Sequence, residues 1–172
     1  MSVLEKVRTY VGGYAATDIR ALLSEDHDEF KELLKQMTSD KSSTRRVSAF
    51  SRLKPLLTAH ARAEEAAVYT RMVDLKGSED ARAYGNEGFV EHSLVDVLME
   101  RLGKTNLAGT DAWKAHAKVL KEMLEHHIAE EEHDVYEELG EHFSDQQRDA
   151  IGADFLARKH ALLAKAKSVR TA

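Results

Sequence analysis

Apolar positions recur at intervals of three and four along most of the chain, the period of one buried helix face. The clearest run is Trp113, Ala117, Leu120, Leu124, His127 and Glu131, whose alternating intervals are those of a bundle core. Its last two members are polar, so the stripe carries an imidazole and a carboxylate inward. The same pattern predicts four long helices. The first covers about 18–38, capped by Thr17, with Ile19, Leu22, Leu23, His27, Phe30, Leu34 and Met37 on its inner face. The second, about 44–75, places Phe50, Leu53, Leu57, His60 and Glu64 on a seam with Val68 alongside, and Pro55 bends it one turn before His60. The third, about 81–103, carries Phe89, His92, Val95, Met99 and Leu102 inward, and the fourth, about 111–140, starts at a Thr110 cap.

Two further helices flank these. Val3, Leu4, Val7 and Val11 have helical spacing up to Gly12-Gly13 and predict a short N-terminal docking helix. Ser144 and Gln147 form a capping box for a final helix, about 145–168, presenting Ile151, Phe155, Leu162 and Leu163. The expected fold is all-α, one domain over 1–172. An up-down-up-down four-helix bundle occupies 18–140, preceded by a docking segment (1–16) and followed by an added C-terminal helix.

Composition narrows the chemistry. At 172 residues the chain can bury a full core. It has no cysteine, which excludes disulfides, thiolate metal sites and thiol catalysis. A net charge of −5 disfavours nucleic acid and anionic membranes as partners. No apolar run reaches the length of a membrane span, and no basic-apolar-small leader pattern is visible, so the expected address is the cytoplasm. The basic residues of the final helix (Arg158, Lys159, Lys165, Lys167, Arg170) are expected to form a solvated face.

The candidate chemistry lies in a repeat. His60-Ala61-Arg62-Ala63-Glu64-Glu65-Ala66-Ala67-Val68-Tyr69 is written again as His127-Ile128-Ala129-Glu130-Glu131-Glu132-His133-Asp134-Val135-Tyr136. A histidine and a glutamate four apart share one helix face and can converge on one point. Upstream of each copy lies a single histidine, in Asp26-His27 and in Glu91-His92. The offset is 65 residues for the single histidines and 67 for the paired ones, as for two tandem hairpins. His126 and Glu130 also lie four apart, but about 100° round the helix from the seam, which makes them flanking residues. His133, His142 and His160 have no such register. His116 is about 16 Å from His127 along the axis and is expected to be a hydrogen-bonded core histidine.

Burying an unpaired carboxylate costs several kcal/mol, a large part of the roughly 5–15 kcal/mol that stabilises a domain. Two inward carboxylates with four imidazoles therefore call for a cation. Nitrogen and oxygen donors without thiolate suit iron, manganese or zinc, not calcium or magnesium. The His-x-x-x-Glu order also differs from the Glu-x-x-His of ferritin-like di-iron bundles.

On these residues the chain resembles the hemerythrin-like (HHE cation-binding) family over roughly 18–168. The resemblance implies two iron ions joined by an oxo or hydroxo bridge. His27 and His60 would bind one, His92 and His127 the other, and Glu64 and Glu131 would bridge them. Oxygen-carrying members have one more histidine, at the place held here by Gly88. The second iron would then be a ligand short, with water or another side chain filling in, and Tyr84 is the candidate.

The expected function is a non-haem di-iron protein, monomeric, binding or reacting with oxygen, hydrogen peroxide or nitric oxide, with catalase- or peroxidase-like chemistry as the first enzymatic option. The alternatives are a non-catalytic oxygen or nitric oxide sensor, an iron store, or a bundle held by structural zinc. The lack of cysteine argues against the cysteine-bearing iron-repair branch.

Overall fold

The computed structural model describes residues 10–11, 14–15, 17–104 and 110–170. Five helical rods make up nearly all of it. α1 is Ile19–Ser39. α2 runs as an α-helix over Ser43–Glu64, a π-helical turn over Glu65–Tyr69 and a closing turn over Thr70–Val73. α3 is Glu79–Lys104. α4 repeats the plan of α2, with Asp111–Glu130, a π-helical turn at Glu131–Val135 and a last segment, Tyr136–His142. α5 is Asp145–Arg170. The five helices expected from the apolar pattern between 18 and 168 are therefore all present, with ends within a few residues.

Local chemistry explains most of the boundaries. Ser42 and Thr110 accept backbone hydrogen bonds from Arg45 and Trp113. Ser144 and Gln147 form the reciprocal box that opens α5. Gly77 turns the chain between α2 and α3 at a φ of 101°, a left-handed conformation that glycine adopts without strain. Pro55 lies within α2 without ending it.

Three expectations fail here. The cap of α1 is Asp18, not Thr17. Its carboxylate accepts from the Arg20 backbone N–H at 3.0 Å and from Arg148 of α5 at 2.9 Å, whereas Thr17 donates to Asp149. A charged acceptor serves the helix end and a guanidinium together, which a hydroxyl cannot match. Of the N-terminal helix expected over 2–11, the described part, Tyr10–Val11, is not helical. Tyr10–Val11 (β1) pairs antiparallel with Tyr14–Ala15 (β2), in keeping with the strand preference of Tyr and Val, and residues 1–9 lie outside the described ones. Phe89 does not point into the core: it is 36% exposed, with its ring edge against Tyr69.

α1 packs on α2, α3 on α4, and α1 on α4, while the π turn of α2 touches α3. α5 lies outside this group, against α1 and α2. Two apolar clusters fill the interior. One contains Phe30, Leu34, Leu53, Leu57, Val95, Trp113 and Leu124; the other contains Leu23, Val68, Tyr69, Met72, Val135, Tyr136 and Phe155. Each buried large side chain contributes roughly 1.5–3 kcal/mol. Along each of α1 to α4 one buried histidine falls between the two clusters, so a polar layer interrupts an otherwise apolar core. No helix among the described residues is long and apolar enough to cross a membrane.

Candidate metal centre

All six expected residues reach this layer. His27, His60, Glu64, His92, His127 and Glu131 are each at most 5% exposed. Their donor atoms form two groups, His27 with His60 and Glu131, and Glu64 with His92 and His127, each group within 4.8 Å. His27 Nε2 lies 3.2 Å from Glu131 and His60 Nε2 3.4 Å from Glu64. His92 Nε2 is 3.5 Å from Glu64 and His127 Nε2 3.7 Å from Glu131. The four rings thus converge on two carboxylates.

The opposite ring nitrogen of each histidine meets a second carboxylate. Nδ1 of His27 contacts Glu132 at 3.0 Å, and that of His60 contacts Asp26 at 2.8 Å. Nδ1 of His92 contacts Glu65 at 3.1 Å, and that of His127 contacts Glu91 at 2.6 Å. An ionised carboxylate only accepts, so each Nδ1 donates and, in the neutral ring, Nε2 turns its lone pair to the centre. This is the orienting contact usual behind metal-ligating histidines. The sequence reading missed these four residues, although the signal was present: Asp26-His27, Glu91-His92, Glu64-Glu65 and Glu131-Glu132 set an acid beside four of the six inner residues. Which acid serves which ring depends on how the helices pair.

The two π turns redirect the chain at the inner glutamates, the first beginning one residue after Glu64 and the second at Glu131 itself. A π turn bonds residue i to i+5, and here the Thr70 and Tyr136 N–H groups bond back to Glu65 O and Glu131 O. The extra residue per turn swings Tyr69 round towards the face of Glu64. Tyr69 is 1% exposed and donates from Oη to Glu131 Oε1 at 3.1 Å. Burial, then the charges of Glu131 and Glu64, pushes its phenol well above the usual range in the metal-free protein.

Gly88 is what admits this ring. A Cβ at position 88 would fall 2.4 Å from Tyr69 Cε2 and Cζ and 2.9 Å from Oη. The side chain standing where Gly88 offers none is therefore Tyr69, not Tyr84. Tyr84 is half-buried at the rim of a cleft outside it. A residue eight positions before His92, on the same helix, was the natural guess from one element. The occupant comes from another.

The remaining histidines fall outside the layer. His126 is exposed and pairs with Glu130 at 3.2 Å; His133 and His160 are exposed; His142 pairs with Glu138; His116 bonds the Ala112 carbonyl at 2.8 Å. Lys159, expected in solvent, is instead folded onto Asp26 and the Phe155 ring.

Without a cation the layer is poorly satisfied. His27 Nε2, His127 Nε2, both oxygens of Glu64 and Glu131 Oε2 are buried without a hydrogen-bond partner. Burial first, then Glu131, raises the Glu64 carboxyl well above its usual range; against burial, contact with Glu64 and His27 holds Glu131 well below. The two carboxylates titrate as a pair, in which the charge of one opposes ionisation of the other. Against burial, Glu131 and Glu132 raise the pKa of His27, and Glu91 and Glu131 raise that of His127. The unsatisfied lone pairs of this layer fit metal cations.

Helical rods around a buried layer of inward imidazoles and carboxylates define a cation-binding bundle. The chain belongs to the hemerythrin HHE cation-binding domain family, whose model matches residues 18–139. The match takes in all six inner residues and ends before α5. No curated protein and no solved structure matches the chain.

Proposed function

We propose that this protein is a non-haem di-iron protein that binds or reacts with oxygen, hydrogen peroxide or nitric oxide, with peroxide breakdown as its first enzymatic option. The observation that carries the reading is the set of buried donor atoms without partners, aimed at one another across a dry core. His27, His60 and Glu131 would hold one ion and Glu64, His92 and His127 the other, with the two carboxylates shared. Tyr69 Oη, beside Glu131 and in the space left by Gly88, is the candidate for the donor the second ion would otherwise lack. The reading takes the four helices as an up-down-up-down bundle forming one domain with α5.

Iron bound there supplies the redox change and the affinity for small diatomics. The chain supplies orientation and selection. Asp26, Glu65, Glu91 and Glu132 hold the imidazoles in place. Phe30 and Phe155 pack edge-on to the His60 ring and wall off one side from water. On the other side a cleft of about 20 Å³ at Gly88 reaches His127 and Glu131. That space takes one water-sized molecule, which suits peroxide or a diatomic and excludes larger substrates.

Metal analysis of protein from its own host, with Mössbauer spectroscopy, should find two coupled ferric ions per chain. A single magnetically isolated iron, or stoichiometric zinc, overturns the assignment. Release of oxygen from added peroxide by the two-iron form separates the catalytic reading from a sensor or an iron store.

A further inference from the structure

The repeat places corresponding residues of the two halves at the same depth, yet one half is sealed and the other is not. At the offsets of 65 and 67, Leu22 and Leu23 correspond to Glu87 and Gly88, and Ala59 and Ala63 to His126 and Glu130. In the first half these positions are apolar, and α5 closes over them. Phe155 is fully buried against His60, and Lys159 pairs with Asp26. In the second half no helix among the described residues lies outside, and the cleft is lined by Tyr69, Tyr84, Gly88 and Val135 with three outer carboxylates, Glu87, Glu91 and Glu130. Its floor is His127 and Glu131, 5% and 1% exposed, and His127 Nε2 and Glu131 Oε2 lack hydrogen-bond partners.

We infer that this cleft is the entry port for the metal, with Glu91, His126 and Glu130 as a transit site for a divalent cation. Donor atoms of these three lie within 4.8 Å of one another. Among the described residues no lysine or arginine lines the cleft, so a cation is drawn in and an anion is repelled. Glu91 spans both stations, since it also holds His127 Nδ1 at 2.6 Å. A cation leaving the outer group therefore meets, one side chain further in, the unpartnered nitrogen of the ring that Glu91 orients. The exposed His126 and the half-buried Glu130 match the weak, exchangeable binding a port requires, whereas the enclosed inner groups match retention.

The inference rests on the metal-binding role proposed above, and the test separates the two. Metal-depleted full-length protein is mixed anaerobically with ferrous ion, and uptake is followed by stopped-flow and final stoichiometry. The triple variant Glu87→Gln/His126→Gln/Glu130→Gln should load about tenfold more slowly, at the low end of electrostatic steering, and reach the parent's final metal content and spectrum. Glu29→Gln/Glu122→Gln removes the same two charges elsewhere and should load at the parent rate. Raising the salt should slow the parent and narrow the gap. If the triple variant loads as fast as the parent, or if the control slows equally, there is no port here. If the triple variant reaches a lower final content, the outer residues belong to the permanent site, and the transit role also fails. A parent that takes up no metal would instead overturn the function proposed above.

Discussion

The two halves of the centre share one sequence plan and differ in outcome. Both copies end in Val-Tyr beside a π-helical insertion, but Tyr69 is the last residue of its insertion whereas Tyr136 follows its own. Tyr69 turns inward to Glu131, while Tyr136 turns aside, its hydroxyl 3.0 Å from Ser24. The residue at the matching position of the neighbouring helix differs. Tyr69 meets Gly88, which has no side chain to oppose it; the residue corresponding to Gly88 is Leu23, whose side chain is fully buried. The two tyrosines of one repeated motif thus end in different surroundings, and α5 closes over the half that holds Leu23.

The largest expected effect comes from removing what the halves share. Glu64→Ala and Glu131→Ala should each lose the metal, while Glu130→Ala keeps it, as metal analysis would show. Losing a ligand held at a thousandfold excess over its dissociation constant costs about 4 kcal/mol, so the melting temperature of both core variants should fall well below that of the loaded parent. Equal metal loss in Glu130→Ala would mean that the inner register on α4 is shifted by one residue.

Next come changes that exchange the halves. Gly88→Ala should destabilise despite a helix-propensity gain of roughly 1 kcal/mol, because its Cβ meets the Tyr69 ring at 2.4 Å. Overpacking of this kind costs about 1–3 kcal/mol, and Tyr69→Ala in the same chain should relieve it, as denaturant unfolding would measure. Gly88→His has room for an imidazole only in that double background. Tyr69→Phe should alter the absorption spectrum of the iron form, whereas Tyr136→Phe should leave it unchanged. An identical response from the two tyrosines would remove the distinction between the halves.

The smallest effect is a pH dependence confined to the metal-free protein. His27 and His127 have pKa values raised above the ordinary 6.5, against burial, by the carboxylates beside them. A raised pKa contributes stability that is fully present below the unfolded value and lost as pH rises through the folded one. The melting temperature of the apo form should therefore fall as pH increases from about 6.5, the ordinary imidazole value. The loaded form, whose imidazoles hold metal in place of protons, should not show this fall over the same range. Parallel curves for the two forms would count against metal replacing these protons.

Much of this was legible in the amino-acid order. Helix spacing is a local property, so the stripe from Trp113 to Glu131 and the offset repeat were enough to bring out His27, His60, Glu64, His92, His127 and Glu131 and to set His126 aside. The caps at Thr110 and Ser144 were equally local. Asp18 escaped because its second partner, Arg148, lies 130 residues away. Phe89 escaped because a periodicity marks a face without saying how far a neighbouring helix covers it.

What the sequence by itself determined is which residues lie one helical turn apart, because the backbone repeat that sets this needs no tertiary partner. It therefore determined the inner donors and their twofold repetition. Only the tertiary structure decided which acid holds which ring. Asp26 and Glu91 serve the paired histidine of their own copy, while Glu65 and Glu132 cross to the single histidine of the other. It also decided that Tyr69 and not Tyr84 stands at Gly88, and that α5 closes one half and leaves the other open. Each of these turns on which volumes meet across helices, and a chain that repeats its motif does not repeat its neighbours.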